Sequence, residues 1–174
     1  MTDSATLFQS SAQPKLSKIE QAKADQCGLD LAPKLTELAA EGWENLDEAT
    51  LTIRLKWLGI FFRPVTPGRF MVRLRLPNGV LNADQLGVLA DAVDRCGDQG
   101  SADITTRQNL QLRGLLLDDM PELMAAMARV GLTSRQSGHD NPRNITGNPL
   151  AGIDPEEIVD TRPLVEAIQA RLLG

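Results

Sequence analysis

The chain has 174 residues, a formal net charge of −5, four Phe, two Trp and no Tyr. That balance argues against a general nucleic-acid binder, which needs a basic footprint and stacking aromatics. No run approaches the ~18 apolar residues of a membrane helix, and the length suits one domain plus an extension, or two small domains.

The two cysteines, Cys27 and Cys96, are far apart and form no C-x-x-C. A reduced, cytoplasmic chain without a disulfide framework or zinc site is the simplest reading. Both thiols fall in or beside expected helices, where buried, inert cysteine is the default.

In chain order, "MTDSATLFQSSAQPK" lacks the positive-then-apolar layout of a secretory signal and reads as a disordered leader over 1–15. From 17 to about 42 the pattern is helical, with Pro33 near the start of the second helix and Leu35, Leu38 and Ala39 on one face. Residues 52–57 alternate like a strand, and "TPGR" at 66–69 reads as a turn.

"FMVRLRLPNG" follows, with Val72, Leu74 and Leu76 facing one way and Met71, Arg73 and Arg75 the other. Residues 82–96 form a helix through Leu86, Leu89, Ala90 and Val93, with Asn82 as N-cap, Gln85 at the capping-box position and Gly97 as the stop. "DITTRQNLQLRG" at 103–114 supplies a second strand. Its odd positions, Asp103, Thr105, Arg107, Asn109, Gln111 and Arg113, make one wholly polar face. "DDMPELMAAMARVG" is a second helix capped by Asp119, with Met120, Leu123, Met124, Met127 and Val130 as its buried stripe.

Residues 70–131 therefore read as an α+β or α/β unit, helices covering the apolar strand faces. The segment after Leu132 is dense in Gly, Asn, Pro and Ser, and between Leu132 and Ile153 it carries Arg135 and Arg143 against one acid, Asp140. Such a stretch in a compact domain is functional or disordered. Glu156 and Glu157 fit a helix N-terminus, and a final helix begins near Thr161 and Pro163.

An arginine-rich strand face suits a planar or multiply charged anion, because guanidinium keeps its charge and presents a fixed fork of donors. The plainer alternative is a solvated antiparallel face. Like charges on adjacent strands repel, however, unless an anion lies between them. His139, the only histidine, sits in a polar loop and is read as solvated or hydrogen-bonded, and no nucleophile–base constellation is visible.

Three stretches together, "FMVRLRLPNG", "DITTRQNLQLRG" and "DNPRNITGNPLAGIDPEE", resemble the assimilatory nitrite and sulfite reductases that carry sirohaem and a [4Fe–4S] cluster. Their order and separation match as well as their letters. The resemblance implies an α+β fold: a ferredoxin-like half-domain over 66–132 behind an N-terminal helical extension over 16–65. Residues 133–174 would then be a substrate-side loop and the start of the next domain, truncated. It also implies that Arg73 and Arg143 are catalytic, bordering the oxyanion. Thr105, Thr106, Arg107, Gln111, Arg113 and Asn144 would lie along the macrocycle and its carboxylates.

"GNPLAGIDPEEIVDTRP" and "LKWLGIFFRPVTPGRFMVRLRLPNG" favour the ferredoxin-dependent nitrite reductases. The implied reaction is reduction of nitrite to ammonium in nitrate assimilation, with ferredoxin as donor and a monomeric, cytoplasmic enzyme. The four cluster cysteines that family carries in a late C-x5-C … C-x3-C pattern are not found in this chain, which reads as an N-terminal portion, inactive alone. The alternatives are a sulfite reductase fragment and a non-catalytic half-domain that binds an anion or tetrapyrrole.

Overall fold

A computed structural model describes residues 16–96 and 101–173. The leader expected over 1–15 and the Gly97 stop lie outside the described residues.

The N-terminal region is helical but short-stepped. Helix α1 (Lys18–Asp25) is capped by the Ser17 hydroxyl, which accepts from the Glu20 N–H. A 3-10 segment, Gly28–Lys34, carries Pro33 and leads into α2 (Leu35–Glu41). Leu35 and Ala39 are buried one turn apart, as their spacing predicts, and Leu38 packs at the edge of the same cluster. Cys27 is exposed rather than buried, because it sits at the junction ahead of the 3-10 segment and not on a helix face.

The strand expected over 52–57 does not form. Asp47 caps a short helix α3 (Glu48–Thr52), and a 3-10 turn, Arg54–Leu58, continues from it. Leu55 and Leu58, three residues apart, are buried at 0% and 3% exposure. A 3-10 turn brings i and i+3 into register, so the apparent alternation was coincidental. Gly59, at φ +78°, then turns the chain into β1 (Ile60–Phe62).

The sheet is four-stranded and antiparallel in the order β1–β2–β4–β3, with β2 at Phe70–Arg73, β3 at Ala102–Thr105 and β4 at Asn109–Leu115. The single strand expected over 103–114 is thus a hairpin, turning at 106–108 with Gln108 at φ +50°. Its register pairs Thr105 with Asn109 and Asp103 with Gln111, odd with odd, so the polar face survives the turn. At its far end β4 carries a bulge. Phe70 opposes Leu115 while Met71 opposes Arg113, leaving Gly114 as the extra residue at φ +76°. A glycine takes that conformation without a Cβ clash. The bulge returns Leu115 to the face of Leu112, and both are fully buried.

Between β2 and β3 runs α4 (Ala83–Cys96), and its capping box forms as expected. The Gln85 N–H donates to Asn82 Oδ1 and the Asn82 N–H to Gln85 Oε1. Leu89, Ala92 and Val93 are its buried stripe; Leu86 and Ala90 are exposed. Helix α5 (Met120–Arg129) buries Met120, Leu123 and Met127, with Met124 and Val130 partly covered. Asp119 makes no side-chain cap to α5; its carboxylate reaches back to the Leu116 N–H. These stripes meet Val72, Leu74, Leu112 and the N-terminal leucines in one core. Each fully buried aliphatic side chain contributes on the order of 1.5–3 kcal/mol.

Residues 154–157 form a turn rather than a helix start, with the Glu157 carboxylate accepting from the Gly152 N–H. The last helix, α6 (Arg162–Leu173), begins where Asp160 Oδ1 accepts from the Arg162 N–H and the Thr161 carbonyl from the Val165 N–H. No helix among the described residues is long and apolar enough to cross a membrane.

Candidate anion-binding face

The helices cover one side of the sheet, and the odd-numbered side is left for polar groups. Register builds it in rows. Arg73 on β2 pairs with Gln111 on β4, which pairs with Asp103 on β3; Met71 pairs with Arg113 on one side and with Phe61 of β1 on the other. The loop over 133–144 folds across the end of this face and brings Arg143 to it.

The result is a pocket of about 90 Å³ lined by Arg73, Thr105, Arg107, Asn109, Gln111 and Arg143. Its size suits a small oxyanion, or one carboxylate of a larger ligand. Three of the lining side chains are guanidiniums and none is a carboxylate. Burial first, and then the charges of Arg143 and Arg107, push the pKa of Arg73 below its ordinary value. Positive charge is therefore concentrated and unneutralised within the pocket.

The supporting contacts fix these groups in place. Arg73 Nη1 donates to the Ser137 carbonyl at 3.2 Å, and its Cζ lies 4.5 Å from the centre of the Phe61 ring. Asn109, only 3% exposed, donates to the Leu74 carbonyl at 2.6 Å. Thr105 Oγ1 accepts from the Arg107 N–H at 3.3 Å, which leaves its own hydrogen to donate. Arg113 pairs with Asp103, and its Nη2 donates to Gln111 Oε1 at 3.3 Å.

Of the residues expected from sequence, the structure brings Arg73, Arg143, Thr105, Arg107 and Gln111 together. Thr106 is exposed in the hairpin turn, and Arg113 lies one row away. Asn144 is bound up with backbone: its Oδ1 accepts from the Leu76 N–H, and its Nδ2 donates to the carbonyls of Leu76, Arg107 and Gln108. Arg75, grouped with the polar strand face by alternation, is 2% exposed beneath the loop. Its face is right, but the loop covers that end of the sheet. His139 is hydrogen-bonded as expected, its Nε2–H donating to the Ile53 carbonyl at 2.6 Å.

Sequence reasoning missed Phe61 and Asn109 as parts of the site. Asn109 carried a signal, its place in the odd-numbered polar series. Phe61 carried none, since its role depends on β1 pairing with β2.

Residues 64–130 match the family model of the nitrite/sulfite reductase ferredoxin-like half domain. Over 155 residues the chain is 57% identical to a ferredoxin–nitrite reductase of Synechococcus elongatus, covering 89% of this chain and 30% of that protein. Residues 64–130 therefore carry the nitrite/sulfite reductase ferredoxin-like half domain. The chloroplastic ferredoxin–nitrite reductase of Arabidopsis thaliana is 53% identical over 135 residues, covering 74% of this chain and 23% of that one. The solved structure of the NirA protein of Mycobacterium tuberculosis superposes with a TM-score of 0.81 at 28% identity, covering 90% of this chain and 32% of that one. The chain spans about a quarter to a third of the length of these relatives, and the ferredoxin-like half-domain fold expected from the motifs is the one observed.

Proposed function

We propose that this chain is the N-terminal part of a ferredoxin-dependent nitrite reductase, and that its arginine-lined face holds nitrite and the carboxylate rim of sirohaem. The observation that carries the reading is the pocket, in which Arg73, Arg107 and Arg143 converge with no carboxylate among the lining groups. Like charges gathered this way repel until an anion neutralises them, and guanidinium offers carboxylates and oxyanions two parallel donors. The residues thus fit a tetrapyrrole that is rich in carboxylates.

When bound, sirohaem supplies the iron at which nitrite is reduced by six electrons to ammonium. The chain's own residues bind and orient. Arg73 and Arg143 offset the charge of the incoming oxyanion and donate N–H groups to its oxygens. Preorganised donors of this kind are typically worth ~2.7–4 kcal/mol each at the transition state. Thr105 adds a neutral donor and Arg107 a cation for a peripheral carboxylate, while Arg113, its charge offset by Asp103, contributes N–H donors one row away. A [4Fe–4S] cluster needs four cysteine thiolates, whereas this chain has two cysteines. The cluster therefore does not fit this chain alone, and its ligands belong to another part of the enzyme. Reduced ferredoxin is the donor in this reading, and nitrate assimilation in the cytoplasm by a monomeric enzyme is its setting.

The test is to express the complete reading frame that carries this chain and supply reduced ferredoxin and nitrite. One ammonium formed per nitrite consumed is expected. Consumption of sulfite in preference to nitrite would move the protein to the sulfite branch of the family. A bound tetrapyrrole without turnover of either would leave a non-catalytic binding role.

A further inference from the structure

We infer that Arg75 is a positioning residue for the anion site, acting through the backbone on either side of Arg143. The inference rests on the reading of the pocket given above.

Arg75 is the largest fully buried side chain described, at 2% exposure, and no carboxylate pairs with it among the described residues. A buried guanidinium without a counter-ion is costly, so its retention needs a compensating role. Its contacts supply one. The Arg75 N–H donates to the Thr133 carbonyl at 2.9 Å, joining the end of β2 to the start of the loop. Its Nη1 donates to the Gln136 carbonyl at 2.9 Å and to the Pro142 carbonyl at 2.5 Å. One side chain therefore gathers both limbs of the loop.

Pro142 directly precedes Arg143, and Asn144, which follows it, is tied by four hydrogen bonds to the backbone of residues 76, 107 and 108. Arg143 is thus held between two anchors. Arg75 sets one and Asn144 the other, and the direction of the Arg143 guanidinium into the pocket follows. Lysine does not reproduce this arrangement, because its side chain ends one bond short of the Nη1 position and its ammonium, more strongly hydrated than a guanidinium, is costlier to bury. Nε and Nη2 of Arg75 have no protein partner, so the hydrogen bonds from Nη1 carry the positioning.

The experiment is a double-mutant cycle in the complete protein, reading the nitrite dissociation constant by equilibrium dialysis and amide exchange over 133–146. Arg75→Met is expected to weaken nitrite binding about ten-fold, equivalent to about 1.4 kcal/mol, and to speed exchange over 141–146. In an Arg143→Gln background the same change is expected to add less than two-fold, since the group being positioned is gone. Arg75→Lys should restore less than half of the lost binding energy and carries the same cycle if the Met variant does not fold. Equal weakening in both backgrounds would overturn the inference, as would unchanged exchange over 141–146. If the unaltered protein binds no nitrite, the nitrite reading fails, and the exchange measurement still decides whether Arg75 holds the loop.

Discussion

The guanidinium of Arg73 on β2 lies against the face of Phe61 on β1, with Cζ 4.5 Å from the ring centre. Phe61 pairs with Met71, two residues from Arg73, so both side chains emerge on the polar face of the sheet. The ring covers one side of the cation, and the Ser137 carbonyl takes one of its N–H groups. Such a contact at a half-buried site is worth about 1 kcal/mol. Phe61→Leu keeps the bulk and removes the quadrupole, and it is expected to weaken nitrite binding by roughly five-fold. Dialysis of the complete protein checks this; an unchanged dissociation constant would show that Ser137 alone orients Arg73.

The convergence of Arg73, Arg107 and Arg143 predicts a specific response to anions. Sulfate binding the folded state should raise the thermal midpoint above that in chloride of equal ionic strength, by mass action. The difference should shrink in Arg143→Gln, which removes one of the charges that depress Arg73. A sulfate effect of the same size in that variant would place the anion elsewhere.

Much of this site could be read from one strand pattern. The odd series from Asp103 to Arg113 shares a face, even though the expected strand is a hairpin, because Thr105 and Asn109 are partners across the turn. An even offset preserves parity, and that depends on turn length, which alternation does not report. The error over 52–57 has a different origin. Three apolar side chains at alternate positions mimic a strand, yet the Asp47 cap and the burial of Leu55 and Leu58 at a spacing of three decide for helical turns. Arg75 was legible as to face but not as to cover, since the loop that buries it comes about sixty residues later. A half-domain cannot show from sequence which segment closes over it.

Gly59 is where the loop meets the sheet. It sits at φ +78°, and a Cβ there would collide with the Ser134 carbonyl oxygen and stand 2.8 Å from the Arg73 carbonyl oxygen. Both neighbours are backbone and cannot swing aside. Gly59→Ala is therefore expected to cost ~2 kcal/mol or more of stability, combining backbone strain with overpacking. Chemical denaturation is the measurement, and a loss under 0.5 kcal/mol would contradict this packing.

Asp47 gives the fold an acid-sensitive joint. Burial tends to raise its pKa, but hydrogen bonds from the Thr50 N–H and hydroxyl and the charge of Arg54 outweigh that and hold it below its ordinary value. A depressed carboxylate contributes stability above its unfolded pKa and loses it as pH falls through the lower folded value. Asp47→Ala should therefore cost about 1 kcal/mol at neutral pH, the usual worth of an N-cap. Below pH 3.8, the ordinary value, the gap between the two proteins should close progressively. A gap that persisted at the lowest pH would mean that the hydrogen bonds do not require the ionised form.

Under the proposed function, this face serves the chemistry of a bound oxyanion and does more than carry a cofactor. The most direct measurement compares haem content and nitrite turnover of the complete enzyme with those of Arg143→Ala. Turnover reduced on the order of 100-fold or more is expected, the range for losing one preorganised donor, with haem content nearly unchanged. Equal loss of haem and turnover would contradict it, since Arg143 would then hold the cofactor and not the substrate.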